Sequence, residues 1–97
     1  MSTPLIIVAR IQANKEHEDL VKSQLLQLID ITRNQEGCVQ YDLHQDNNKP
    51  EIFVFYEIWE SRELWQAHMD SPPLQKFMAA TQEAVADFVL HEMTRIA

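Results

Sequence analysis

FVFYEIWES, residues 53–61, is the stretch whose reading decides the fold. A half-buried strand alternates apolar and polar residues, yet Phe53, Val54, Phe55, Tyr56, Ile58 and Trp59 put large apolar groups on both faces. Each face therefore needs a cover. Glu57 shares its face with Phe53, Phe55 and Trp59, where an unpaired carboxylate is expensive. It reads either as half of an ion pair, with Arg10 or Arg62 as partner, or as part of a site.

Outward from this strand, NNKP at 47–50 is turn chemistry, so the strands expected over 38–46 and 51–60 form an antiparallel hairpin. In the first of these, alternation puts Val39, Tyr41 and Leu43 on one face and Cys38, Gln40, Asp42 and His44 on the other. PLIIVARIQ, residues 4–12, reads as an earlier strand. Between them, Val21, Leu25, Leu28, Ile29 and Thr32 recur at three- and four-residue spacing. That predicts one amphipathic helix from Lys15 to about Gln35, with Asn14 as N-cap and Gly37 as left-handed terminator. Ser61 caps a further helix. Pro72 and Pro73 interrupt it, and a second helical piece directs Leu74, Phe77, Met78 and Val85 toward a core. DFVLHEMTRIA, from Asp87, reads as a last strand.

The order β-α-β-β-α-β is the ferredoxin-like, split βαβ arrangement: an α+β fold with a four-stranded antiparallel sheet and both helices on one face. The other face would expose a larger apolar patch than monomers usually carry. A homodimer with two sheets face to face is therefore expected. The 97 residues suit one domain spanning 1–97.

Composition excludes several function classes. Eight Lys and Arg against fifteen Asp and Glu give a net charge of −7 with no basic cluster, which argues against nucleic acid and anionic membranes as partners. The start, MSTPLIIVARIQ, lacks a signal-peptide pattern and no segment has the length of a membrane span, so a cytoplasmic location is expected. Cys38 is the sole cysteine, which rules out an internal disulfide and reads as a small buried hydrophobe. Gly37 is the sole glycine, so neither a dinucleotide fingerprint nor a P-loop can form. The four histidines have no metal-ligand spacing, and no metal site is expected.

Chemistry is left to polar and aromatic groups pointing inward. Glu57 and Trp59 lie about 7 Å apart along one strand face. His68 lies on the helix after Ser61, which returns over the sheet and can bring it above Trp59. Phe53, Phe55, Phe77 and Met78 are available to line an apolar pocket between helix and sheet. The bland alternatives are a capping histidine, a core tryptophan and a structural ion pair.

Residues 36–77 resemble the antibiotic biosynthesis monooxygenase family, whose small members include quinol monooxygenases. The resemblance is carried by Gly37-Cys38 and Tyr41, Phe55-x-Glu57-x-Trp59, and Ala67-His68 followed by Ser71-Pro72. It implies a dimeric α/β barrel and oxygenation of an aromatic phenol or dihydroquinone by O₂ without metal, flavin or other cofactor. On the matching positions, His68 is expected as the base or hydrogen-bond partner of the phenolate and Trp59 as the stacking platform. Glu57 and Tyr41 would give hydrogen-bonding support. A heme-degrading branch carries an asparagine on the first strand where this chain has about Ala9. Another branch isomerises a phosphorylated signalling sugar, for which no Arg or Lys cluster is evident. A non-catalytic, small-ligand-binding dimer is the alternative from outside enzymology.

Overall fold

The computed structural model describes residues 3–97. Met1 and Ser2, which open the stretch read as lacking a signal peptide, lie outside the described residues. The register of the central strands sets everything else. β1 (Leu5–Ala13) pairs antiparallel with β3 (Ile52–Trp59), placing Ile7 opposite Glu57 and Ala9 opposite Phe55. β2 (Cys38–Gln45) lies outside β3 and β4 (Val85–Met93) outside β1, giving the order β2-β3-β1-β4. Every pairing is antiparallel, as the ferredoxin-like reading requires.

The helices α1 (Glu18–Gln27), α2 (Ile29–Arg33), α3 (Arg62–Met69) and α4 (Pro72–Thr81) connect these strands. Val21, Leu25 and Leu28 from the first crossover, and Trp65, Leu74 and Phe77 from the second, join Ile7, Ile11, Phe53, Phe55 and Trp59 in one buried cluster. The helix-side face is thus closed by the chain itself. On the open face, Ile6 is nearly covered, Val8, Val54, Ile58 and Val89 are half-buried, and Tyr56 and Met93 are exposed.

Several local expectations need correcting. The helix predicted from Lys15 to about Gln35 is three pieces: a 3₁₀ turn at Lys15–His17, then α1 and α2, parted at Leu28, whose N–H turns back to the Leu25 carbonyl. Asn14 is not a side-chain cap; its Nδ2 donates to the Glu83 carbonyl, tying the end of β1 to the start of β4. In β2 the register slips between Cys38 and Gln40, a bulge that leaves Val39 exposed and sets Cys38 opposite Trp59. Cys38 therefore sits on the Tyr41 side, not opposite it. Val85 opens β4 instead of extending α4, whose last residue, Thr81, donates its hydroxyl to the Phe77 carbonyl.

One local signal behaves as read and another in part. Ser61 Oγ accepts the Leu64 N–H and caps α3. Gly37 adopts the left-handed φ of +86°, but in the turn that leads into β2, since α2 already ends at Arg33 with Asn34 as its C-cap. A Cβ at Gly37 would lie 2.5 Å from Leu64 Cδ1, so only glycine lets α3 pack this close to the start of β2. Among the described residues, no helix is long and apolar enough to cross a membrane.

Candidate active site

Alternation on β3 sends Glu57 and Trp59 under α3, and the cap at Ser61 fixes where α3 starts. His68 comes one helical turn after Leu64, on the buried side with Trp65. The result is a stacked arrangement. The His68 and Trp59 rings lie 4.8 Å apart at 30°, and Tyr41 meets His68 edge-on at 5.7 Å while stacking on Phe55 at 4.6 Å.

Glu57 is 4% exposed. Its Oε1 accepts the Trp59 indole N–H at 2.8 Å. Neither expected ion-pair partner reaches it: Arg10 faces Asp87 at 3.8 Å and Arg62 faces Glu92 at 2.9 Å. A carboxyl group without a cation in an apolar wall favours its neutral form, and burial raises Glu57 to about 7 against the opposing pull of the Trp59 N–H. Burial acts in the other direction on His68, holding it down to about 4, so the imidazole is neutral at pH 7. Its Nδ1 lies 2.7 Å from Gln35 Oε1; with the proton there, the lone pair is on Nε2. Gln35 is itself held through Nε2 to Ser71 Oγ at 3.4 Å, and Ser71 donates to the His68 carbonyl at 2.6 Å. Burial first, and the Glu57 charge second, keep the Tyr41 phenol well above its ordinary range and therefore protonated. Burial likewise raises the Cys38 thiol, so it is no thiolate nucleophile.

These groups border a cavity of about 40 Å³ between sheet and helices. Tyr41, Phe55, Glu57, His68, Phe77 and Met78, all named from the sequence, line it. Trp59 does not: fully buried, it backs His68 and Glu57 and orients both. Phe53 lies farther along β3, in the core opposite Ile11. Sequence reasoning missed Trp65 and Gln35. Trp65, three residues before His68 on one helix face, could have been found from helical spacing; Gln35 lies 33 residues from its partner and carries no local signal. Ile11, Phe77, Met78 and Phe88 also wall an outer groove of about 420 Å³ that adjoins the cavity. Among the described residues, no Lys or Arg lines either space. Among the described residues, no three His, Cys, Asp or Glu side chains converge as a metal site would require.

The model of the family described as antibiotic biosynthesis monooxygenase matches residues 4–80, from β1 into the last turn of α4, and takes in Gln35, Tyr41, Glu57, Trp59, Trp65 and His68. The chain belongs to the antibiotic biosynthesis monooxygenase family. Relatives within reach of sequence comparison are distant. The Mycobacterium tuberculosis protein named putative monooxygenase Rv0793 is 28% identical over 83 residues, covering 86% of this chain and 81% of its own length. An uncharacterized Synechocystis protein, sll1783, is 25% identical over 85 residues; the match takes 86% of this chain and 56% of that protein, so this family member spans little more than half of it. In structure, PA3566 from Pseudomonas aeruginosa superposes with a TM-score of 0.95 at 29% identity, over 100% of this chain and 98% of that one. Rv0793 gives 0.91 at 22% identity, over 98% and 97%, and establishes a shared fold.

Proposed function

We propose that this family member is a cofactor-independent monooxygenase that oxidises a phenolic or dihydroquinone substrate with O₂. The observation that supports the reading best is the buried pair of Glu57 and His68, one raised and one lowered by the same apolar wall, with no cation beside either. In the proposed reaction the substrate hydroxyl donates to the free Nε2 of His68, and Glu57, titrating nearest to neutral pH, takes up the proton. Trp59 positions both groups from behind. The phenolate is then electron-rich enough to reduce O₂ itself: one oxygen atom enters the ring, the other leaves as water, and the substrate supplies all four electrons. A naphthol would give a naphthoquinone and water. The apolar walls exclude bulk water from that exchange, and the outer groove has the volume for a bicyclic ring whose reacting edge points inward.

The competing readings have less support. A phosphorylated sugar would meet no cation on these walls. Against the heme-degrading reading, Ala9, not an asparagine, faces the cavity. A non-catalytic ligand-binding dimer shares the geometry and is separated by turnover. The decisive experiment is oxygen uptake by metal-free protein with menadiol-like and naphthol-like substrates beside the His68→Ala variant. Uptake above the spontaneous rate, abolished by the substitution with the assembly unchanged, is expected. Equal rates in both proteins remove His68 from the reaction, and no uptake by the wild type across the panel removes the reaction.

We also infer that the open sheet face packs against a second copy, and that the protein acts as a homodimer. Ile6, Val8, Val54, Tyr56, Ile58, Val89 and Met93 share the side opposite the helices, a mainly apolar surface that also carries Arg10 and His91. Sedimentation at a monomer mass across micromolar concentrations would end this inference.

A further inference from the structure

Trp65 differs from every other polar group on the cavity wall. It is 4% exposed, and its indole Nε1–H makes no hydrogen bond. Buried donors are almost always paired, because an unmade bond forfeits the full desolvation penalty of the group. Of the two other such buried atoms among the described residues, the Thr32 hydroxyl meets the Tyr41 phenol and His17 Nδ1 belongs to a side chain that does not line the cavity. The neighbouring polar groups have protein partners on one side only: Glu57 through Oε1 to Trp59, His68 through Nδ1 to Gln35. His68 Nε2 is left to accept, and Glu57 accepts as carboxylate or donates in its neutral form. With the Tyr41 hydroxyl engaged by Thr32, the Trp65 N–H is the buried donor on this wall that has no partner.

The indole is also firmly held. Arg62, itself paired with Glu92, lies over its ring at 5.7 Å, and Trp65 and His68 are neighbours at three-residue spacing on α3. A ligand hydroxyl at His68 would therefore bring the same ring system past the Trp65 edge.

We propose that Trp65 Nε1–H is a specificity-determining donor that receives a second, acceptor oxygen of the ligand, so that the site selects phenols bearing an additional oxygen substituent over plain phenols. This rests on the reading of the cavity as a phenol site. An oxygen placed there completes the indole's hydrogen bond; a carbon in the same place leaves the donor buried and unpaired, which is the stronger form of discrimination.

The test is anaerobic binding, so that turnover plays no part. The probes are 1-naphthols carrying methoxy or, as a carbon isostere, ethyl at ring position 2 or 4. The chain has two tryptophans, so ¹⁵N-labelled protein gives two indole signals, one from Trp59 bonded to Glu57 and one from Trp65. At one of the two ring positions the methoxy compound should bind about threefold to tenfold tighter than its ethyl partner and move the Trp65 indole proton downfield. In Trp65→Phe the ratio between the methoxy and ethyl partners should fall to about one. Replacing Trp65 by 3-benzothienylalanine, which keeps the ring shape and removes the N–H, gives the same result without a packing defect. Equal binding of the isosteres, a stationary Trp65 signal in the bound state, absence of binding by all four probes, or a uniform loss in both variants would overturn the proposal. Selective binding without oxygen uptake would leave Trp65 its role and remove the oxygenation reading alone.

Discussion

The two faces of β3 carry nearly the same apolar content and meet different fates. On the helix side Phe53, Phe55, Glu57 and Trp59 are between 0% and 4% exposed, whereas on the open side Tyr56 is 37% exposed and Val54 and Ile58 are half-covered. Period-two alternation assigns residues to faces but does not say what covers a face. Two helical crossovers can lie on only one side of this sheet, so the chain completes one face and leaves the other apolar. The completed face also tolerates a carboxyl group, because the strand supplies its own partner two residues on, in the Trp59 indole.

The largest effect that would break this contrast is a truncation on the completed side. Phe55→Ala removes a ring stacked on Tyr41 and bordering the cavity, and should cost about 3 to 5 kcal/mol in urea denaturation. The loss should not depend on protein concentration, since the packing lies within one chain. A loss below about 1 kcal/mol would mean that the helix side is not the rigid side.

Next in size is a pH effect that the wild type should conceal. Glu57 has its folded value raised from 4.5 to about 7, so it binds a proton more readily when folded, and its contribution to stability falls as pH rises from 4.5 to 7. His68 has its folded value lowered from 6.5 to about 4, so it resists protonation when folded, and its contribution falls as pH drops from 6.5 to 4. Between pH 4.5 and 6.5 the two slopes oppose and nearly cancel. Glu57→Gln should uncover a stability that rises through that window, and His68→Gln one that falls through it, each by about 3 kcal/mol over the group's full range. Parallel profiles for both variants would show that the two groups do not titrate against the same wall.

These two groups also mark how far the sequence could be read. Inward placement of Glu57 follows from period two, and of His68 from a helix that must return over the sheet. Their partners do not follow. Arg10 and Arg62 are the natural cations for a strand carboxylate, yet each is drawn to an exposed acid on β4, and the indole two residues away satisfies Glu57. The bulge at Val39 was invisible for a related reason: one inserted residue shifts Cys38 to the opposite face with no change in composition, and only the partner strand records it. The break at Leu28 was equally silent, since residues 18–33 contain neither glycine nor proline. Elements and faces were legible because they depend on local period; pairings between distant segments, such as Gln35 with His68, were not.

Gly37→Ala should come next, at about 2 to 3 kcal/mol, combining a left-handed backbone with overlap against Leu64. Its interest lies in direction. Relief requires α3 to move away from β2, carrying Trp65 and His68 with it, so the variant should loosen the cavity while leaving the open face unchanged. A shifted Trp59 and Trp65 indole spectrum with an unaltered sedimentation profile is the expected pair of results. An unchanged melting point would show that the start of β2 tolerates a side chain and that Gly37 does not position α3.

The smallest effect on folding should come from the residue beside Phe55. Tyr56 points to the open face, so Tyr56→Glu removes little buried area within one chain and should change its unfolding free energy by less than about 1 kcal/mol under dilute conditions. In a face-to-face dimer the same change acts twice. It sets two carboxylates into a largely apolar interface between chains whose net charge is already −7, and the neighbouring cation on that face, Arg10, already faces Asp87. Association should weaken far more than folding, and the sedimenting mass should halve at concentrations where the wild type remains paired. Adjacent residues would then fail in opposite ways: Phe55→Ala through the fold at any concentration, Tyr56→Glu through assembly with the fold intact. Should Tyr56→Glu lower the dilute-solution stability as much as Phe55→Ala does, the open face is completed within the chain and the contrast between the two sides of β3 collapses.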